Sequence, residues 1–390
     1  MKILHITPWY EPAWASGGTA VSVSSLCREL YNQGTDITVL TTTDLGDGSL
    51  LSKKSLRKKV GGVEVRYSSC GILGLNYRRA AFSFRMVFDI IKLSRNYDLV
   101  HIHSTRHIYG LVLAILAPLY KISYVITPHA SLMDFWMNTI GSSSLKKFYA
   151  KTFDKIYIKN ATKIHFLSKY EKESSANWTF GKDSFVLPNG IVNLKKSLNK
   201  SSYNGGKIKL LHVGRIHPQK NTFELVKAVS ELGSNIASLD IIGAIDDENY
   251  YKKCIDYIES ISANNISFMG KMDYEDVQLK YKEYDLFCMP SLVEGVSMAL
   301  IEAASAGLPS LVSKNVGNYH EIIEDESGIL CGLSSGSIKK EIVSITENPS
   351  QLNRLSANAF LTTKKRYSLR LVVKELINTY KHIYKNRYPN

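Results

Sequence analysis

Short runs of aliphatic and β-branched residues, each followed by a helical stretch, recur along the 390-residue chain, and the whole pattern is played through twice. In the first half "KILHI", "DITVLTT", "VEVRYS", "DLVHIHS", "SYVITPH", "KIHFLS" and "SFVLPNG" read as strands. After the polar, aperiodic "NGIVNLKKSLNKSSYNGGK" a second set follows: "IKLLHVG", "ASLDIIG", "ISFMG", "LFCMP", "PSLVS" and "GIL". Strands that are apolar on both faces and alternate with helices build parallel sheets covered by crossover helices. The chain is therefore expected to be α/β, with two Rossmann-like, doubly wound parallel sheets facing each other across a deep interdomain cleft. The expected boundaries are 1–190 for the first domain, 191–207 for a linker and 208–367 for the second, with the segment 368–390 packing back on the first. Such sheets bind ligands beyond the carboxyl ends of their strands, so the chemistry is expected just after strands.

Several classes fall away. The most apolar stretch, "IYGLVLAILAPLY", is 13 residues long, short of the roughly 20 that cross a bilayer. "MKILHITPWYEP" has too short an apolar run for a signal peptide. Cys27, Cys70, Cys254, Cys288 and Cys331 form no C-x-x-C pair, which points to a reducing, cytoplasmic compartment and to no zinc site. The net charge of +14 is uneven: residues 1–190 carry 24 basic and 13 acidic side chains, and the remainder 25 and 22. The densest basic piece is "KKSLRKK" (53–59), and in "NYRRAAFSFRMVF" (76–88) Arg78, Arg79 and Arg85 flank Tyr77, Phe82, Phe84 and Phe88. That composition suits an anionic membrane surface contacted through 53–88, or a solvated basic loop and helix face. A nucleic-acid partner is not expected, because no recognisable nucleic-acid module accompanies the charge.

Four strand ends carry candidate chemistry. After the first strand come Gly17 and Gly18, opening a helix over about 19–33; paired glycines there can cradle a phosphate or simply form a turn. "LLHVGRIHPQKNTFELVKAV" places Arg215 and Lys220 around a short turn, with Asn221 as an N-cap and Glu224 at the capping-box position. Two cations beside a helix start suit a diphosphate, and an exposed basic loop is the plainer reading. "SLVEGVSMALIEAASAGLP" (291–309) places Glu294 in a loop and Glu302 inside a helix of small and apolar residues. A carboxylate buried there needs hydrogen-bond donors, and vicinal hydroxyls supply two. His101 and His103 share a strand face, a spacing a metal could exploit, but they have no acidic or thiol ligand nearby. His129 ends the "TPHA" strand, as a structural residue or as one that meets substrate.

Together these residues resemble the retaining GT-B glycosyltransferases of family 4, the group 1 enzymes of bacterial lipopolysaccharide and capsule assembly. "EGVSMALIE" is similar to that family's E-x7-E motif, "GRIHPQKN" to its G-R-x4-K segment, and "PNGI" (188–191), "GGT" and "TPHA" agree. The resemblance implies that Arg215 and Lys220 hold the donor diphosphate and that Glu302 holds the ribose hydroxyls. It further implies that Glu294, with Gly295, Val296 and Ser297, holds the transferred sugar, that Gly17 and Gly18 approach its phosphate side, and that His129 meets a sugar hydroxyl. Two departures stand out: "KNVGNYHEII" lacks the usual glycine pair near Gly317 and Asn318, and Ser297 occupies a common glycine position.

The activity implied is sugar transfer from a nucleotide-sugar, such as a UDP- or GDP-sugar, to a saccharide or lipid-linked oligosaccharide acceptor, with no cofactor. Arg215 and Lys220 would stand in for a metal, since no D-x-D motif is present. The expected location is cytoplasmic, peripheral on the inner face of the plasma membrane. A GT-B epimerase or phosphorylase, or a non-catalytic nucleotide-sugar binder at the membrane, would share these motifs.

Overall fold

The computed structural model describes residues 1–70, 82–138, 143–192 and 203–387. Tyr77, Arg78 and Arg79 of the basic-aromatic stretch, and 193–202 of the expected linker, lie outside them. The chain divides into two compact units, Met1–Val192 with Leu369–Asn390, and Asn193–Ser368.

The first unit is built on β1 (Lys2–Ile6), β2 (Asp36–Thr42), β3 (Leu56–Val60), β4 (Val63–Ser68), β5 (Leu99–His103), β6 (Tyr124–Thr127), β7 (Lys163–Phe166) and β8 (Ser184–Val186). Their order across the sheet is β3-β4-β2-β1-β5-β6-β7-β8. All neighbours are parallel except β3 and β4. Helices on both faces explain why β1, β5 and β6 read as nearly unbroken apolar runs. Strand order reverses between β1 and β5, so the loops after these two strands open at the switch point where such sheets take ligands.

The basic "KKSLRKK" segment corrects the sequence reading of a loop. Leu56–Val60 is an edge strand turned back on β4 through Gly61 and Gly62, whose φ values of +55° and +87° fit a two-residue type I′ hairpin. Arg57, Lys58 and Lys59 are exposed along that edge, where charge discourages pairing with another chain.

Leu369–Arg387 is the last helix of the first unit. Leu369, Val372, Val373, Leu376, Tyr380 and Ile383 form one apolar stripe, which joins Val23, Cys27 and Leu30 of the Gly18–Asn32 helix in a common core. The chain leaves this unit after Val192 and re-enters at Leu369, whose N–H donates to the Ile191 carbonyl at 3.1 Å. Gly190 is required at this junction, because a Cβ there would lie 2.5 Å from the Leu369 Cα.

The second unit holds β9 (Ile208–Val213), β10 (Ala237–Ile242), β11 (Ile266–Gly270), β12 (Leu286–Met289), β13 (Ser310–Ser313) and β14 (Gly328–Cys331). They form an all-parallel sheet in the order β11-β10-β9-β12-β13-β14. Its switch point lies between β9 and β12, so the loops carrying Arg215, Lys220 and Glu294 emerge side by side.

Candidate functional site

In the second unit the chain after β9 turns through Gly214 into a short 3-10 turn, Pro218–Lys220, capped by His217, whose Nδ1 accepts from the Gln219 N–H at 3.2 Å. Two hydrogen bonds stitch this turn to the loop after β12: Leu292 N–H to the Gln219 carbonyl at 2.8 Å, and Gln219 Nε2 to the Val293 carbonyl at 2.9 Å. The result brings the Lys220 ammonium, itself buried, directly onto the Glu294 carboxylate. Arg215 stays outside that pair, more than half exposed, and its Nη1 bonds Asp246 Oδ2 at 2.6 Å.

The expected capping box at Asn221 is not formed. Asn221 adopts a left-handed conformation with φ of +57° and sends its Nδ2 to the Leu333 carbonyl at 2.8 Å, while Glu224 accepts from the Ser335 N–H at 2.9 Å. Both side chains bind the segment after β14, so tertiary contacts outcompete the local cap.

Glu294 is fixed through its backbone. Its N–H donates to the Asn315 carbonyl and its carbonyl accepts from the Gly317 N–H, both at 2.9 Å. This parallel bridge spends the Gly317 N–H inside the protein. Asn318 takes over a structural role, since Oδ1 accepts from the Ser297 N–H at 3.1 Å and Nδ2 donates to the Tyr367 hydroxyl at 3.1 Å. Ser297 is the N-cap of the Met298–Ser305 helix, its hydroxyl accepting from the Leu300 N–H at 3.3 Å. Gly295 is buried and Val296 half-buried in the same turn.

Glu302 lies one turn into that helix, buried, with Oε2 accepting from the Tyr281 hydroxyl at 3.2 Å. Burial pushes its carboxyl above the ordinary range, and the Tyr281 hydrogen bond draws it back.

The first unit contributes Gly17, Gly18 and His129. Gly17 has φ of +96°, and a Cβ at either glycine would meet no atom within 4 Å, so the space beside this helix start is open. His129 and Ala130 both take left-handed conformations, φ +52° and +64°. They are held by buried Glu171, which accepts from the Ala130 N–H at 2.6 Å and the Leu167 N–H at 2.8 Å. Burial pushes Glu171 up to about 7 against the pull of those two donors.

Behind His129 lies a layer of imidazoles. One chain runs from Tyr380 to His101 Nδ1 (2.5 Å), from His101 Nε2 to Thr127 Oγ1 (2.7 Å), on to His165 Nδ1 (2.9 Å) and from His165 Nε2 to the Leu187 carbonyl (2.7 Å). That carbonyl can only accept, which fixes every proton back to the Tyr380 O–H as donor. A second chain links His129 Nε2 to His103 Nδ1 at 3.1 Å and His103 Nε2 to His5 Nδ1 at 3.0 Å, leaving His5 Nε2 without a partner. A buried lone pair left over costs less than a buried N–H. His5 and His103 therefore donate toward His129, and the His129 proton sits on Nδ1. Burial drives His5 and His129 down to about 3 and His165 to about 4, with His101 and His103 also lowered, so the layer is neutral.

His5, His101 and His103 bring ligand-capable nitrogens within 4.8 Å of one another. Both nitrogens of His101 and of His103 are committed to the chains above, so an ion would have to displace those hydrogen bonds.

Asp246, Tyr281, Glu171, His5 and His165 were not singled out from the sequence. Ser168 and Glu171 stand at capping-box spacing and could have been. The lone histidines inside the apolar strands β1 and β7 were the other available signal.

Two family models match the chain: "Glycosyltransferase Family 4" over residues 16–192 and "Glycosyl transferases group 1" over residues 195–362. The chain belongs to the family 4, group 1 glycosyltransferases. It is 26% identical to the alpha-monoglucosyldiacylglycerol synthase of Acholeplasma laidlawii, over 89% of either chain. It is 28% identical to the Escherichia coli UDP-Gal:alpha-D-GlcNAc-diphosphoundecaprenol alpha-1,3-galactosyltransferase, over 70% of this chain and 72% of that one. Among solved structures, HepE of Anabaena in complex with UDP-glucose superposes with a TM-score of 0.72 at 16% identity, covering 98% of this chain and 100% of the other. The fold is GT-B, two parallel-sheet Rossmann-like domains, and the protein is a glycosyltransferase acting on nucleotide sugars. No helix among the described residues is long and apolar enough to cross a membrane.

Proposed function

We propose that the protein transfers a hexose, with retention of anomeric configuration and without a metal ion, from a UDP- or GDP-sugar to a lipid-linked saccharide during bacterial surface polysaccharide synthesis. The O-antigen of lipopolysaccharide and the capsule are the candidate products. The observation that carries this is the Lys220–Glu294 pair at the switch point, with Arg215 beside it and Glu302 buried one turn into the next helix. An ammonium has three donors, so Lys220 can keep Glu294 and still hold a phosphate oxygen, while the Arg215 guanidinium offers two parallel donors. Glu302 takes the ribose hydroxyls, and Glu294 takes hydroxyls of the transferred sugar beside Gly295, Val296 and Ser297. Gly17 and Gly18 admit the phosphate side, and His129 offers Nδ1–H to a sugar oxygen.

As the anomeric carbon–oxygen bond breaks, negative charge grows on the diphosphate, where the two fixed cations lower its energy. The acceptor oxygen bonds to the same face of the sugar, and its proton leaves with the diphosphate oxygen. A lipid-linked acceptor draws support from the diphosphoundecaprenol acceptor in the name of the Escherichia coli relative. It would place the enzyme on the inner face of the plasma membrane, with basic residues of 53–88 among those facing anionic lipid.

Release of nucleoside diphosphate from a panel of nucleotide sugars tests the reading. Acceptor-dependent release that survives EDTA, with an axial-to-axial or equatorial-to-equatorial product by NMR, is expected. Release without acceptor, accompanied by a 2-epimer, would make the protein an epimerase, and binding without turnover a non-catalytic nucleotide-sugar binder. Lys220→Ala should lower kcat/KM by about 100- to 1,000-fold, the loss typical of one transition-state donor. Glu302→Ala should raise the donor Kd by about 10- to 100-fold, equivalent to roughly 1.5–3 kcal/mol for hydrogen bonds to a charged group.

A further inference from the structure

Three helical segments lie side by side on one face of the first sheet: Phe84–Leu93, Ile108–Tyr120, and the continuous run 143–160. Their inner sides are ordinary core, with Met86, Ile90, Tyr109, Leu113, Tyr157 and Ile158 buried together. Their outer sides are apolar as well. Phe84, Phe88 and Ile91 recur at i, i+4, i+7 and are exposed, Phe88 by 66%. Ile115 and Leu119 do the same on the second helix, Leu119 at 70%, and Phe148, Phe153 and Ile156 on the third, Phe148 at 60%.

Phe148 and Phe153 are five residues apart, a spacing that an α-helix would splay. A π-helical turn, Ala150–Asp154, inserts the extra residue that returns both rings to one side. Beside them Lys147, Lys151, Lys155 and Lys159 repeat every four residues, the last three exposed, and Lys92 and Lys121 stand exposed at the ends of the other two helices. The only acids in these segments are Asp89, paired with Arg85, and Asp154, which is buried.

We infer that this three-helix face is a docking surface for an anionic lipid bilayer. The inference rests on the membrane side of the function proposed above and adds a location, the helical segments 84–93, 108–120 and 143–160, that the basic edge strand does not supply. Aromatic and aliphatic side chains enter the headgroup boundary, and lysines lie over it with their ammonium groups at the phosphates. A protein partner would require counter-charges or a shaped groove; a stripe of lysines around flat apolar faces matches a fluid, uniformly negative surface. The helices lie on the surface and do not span it.

Sedimentation with phosphatidylglycerol–phosphatidylcholine vesicles, against pure phosphatidylcholine, tests this on the full chain. Wild-type protein should sediment with the anionic vesicles and be released by salt. Lys151→Glu, Lys155→Glu and Lys159→Glu together should weaken binding by about 100-fold or more, at the energy typical of each interfacial lysine. Phe148→Ser should weaken it about 10-fold, as expected when a bulky side chain no longer reaches the boundary. Donor-induced thermal stabilisation should be unchanged in all of them, which separates this face from the donor site: loss of donor binding in wild type would sink the function and leave the vesicle result standing. Equal wild-type binding to neutral vesicles, unchanged binding by the variants, equally tight binding to single-stranded RNA, or a wild-type dimer that the substitutions dissociate would each overturn the inference.

Discussion

Lys220 and Glu294 are 74 positions apart in sequence and bonded in the structure, and neither is explained without the other. A half-buried carboxylate needs a donor and a buried ammonium needs an acceptor. The same economy governs His129, whose ring is the visible end of a chain of neutral imidazoles. The unpaired Nε2 of His5 sets the direction of two hydrogen bonds and hence the tautomer presented at the strand end. Long-range proton–nitrogen NMR at pH 7.5 should find His129 protonated on Nδ1. A His129 carrying its proton on Nε2 would reverse the chain and contradict this assignment.

Elements set where these residues stand. The hairpin of β3 and β4 turns a lysine-rich stretch into the rim of a sheet, so its charge has a folding explanation independent of any partner. Changing Arg57, Lys58 and Lys59 together to valine should leave the circular dichroism spectrum native but raise light scattering at micromolar concentration, because an uncharged flat edge invites strand addition. Absence of aggregation would return the basic residues to a purely external role. The Asn221 corner teaches the complementary lesson. Its side chain and that of Glu224 satisfy the segment after β14 instead of the helix start, so a motif with good local spacing is used for long-range tethering.

Over the whole molecule, burial of so many imidazoles has a consequence in acid. His5 and His129 are lowered to about 3, His165 and His212 to about 4, and His101 and His103 lie well below their ordinary value, chiefly through burial. Their folded-state pKa values lie under the unfolded value of about 6.5, so their contribution to stability is complete above that pH and is lost as pH falls toward 4. Asp154 and Glu171, raised to about 6 and about 7, and Glu302 and Glu321, also raised by burial, act in the opposite sense over part of the window, but they are four against these six, and burial lowers His107 as well. The urea midpoint should be flat from pH 7 to 8 and fall steeply between 6.5 and 4; a midpoint unchanged at pH 5 would contradict the neutral layer.

Strand periodicity, the restart after the polar stretch near 190–207, and the spacing of Arg215, Lys220, Glu294 and Glu302 were all legible in the chain, because each is a pattern of neighbours. Packing decided the rest. Tyr281 on Glu302, Asp246 on Arg215, Glu171 beneath Ala130 and His5 behind His103 are partners distant in sequence, chosen by which polar groups the folding of each unit brings within hydrogen-bond reach. The three-helix apolar face likewise becomes visible only once the inner stripe of each helix is accounted for by core. Sequence order fixes the local conformation and which residue types are present; the folded chain decides which charges and lone pairs are left to answer one another, since desolvation makes each unmatched group costly.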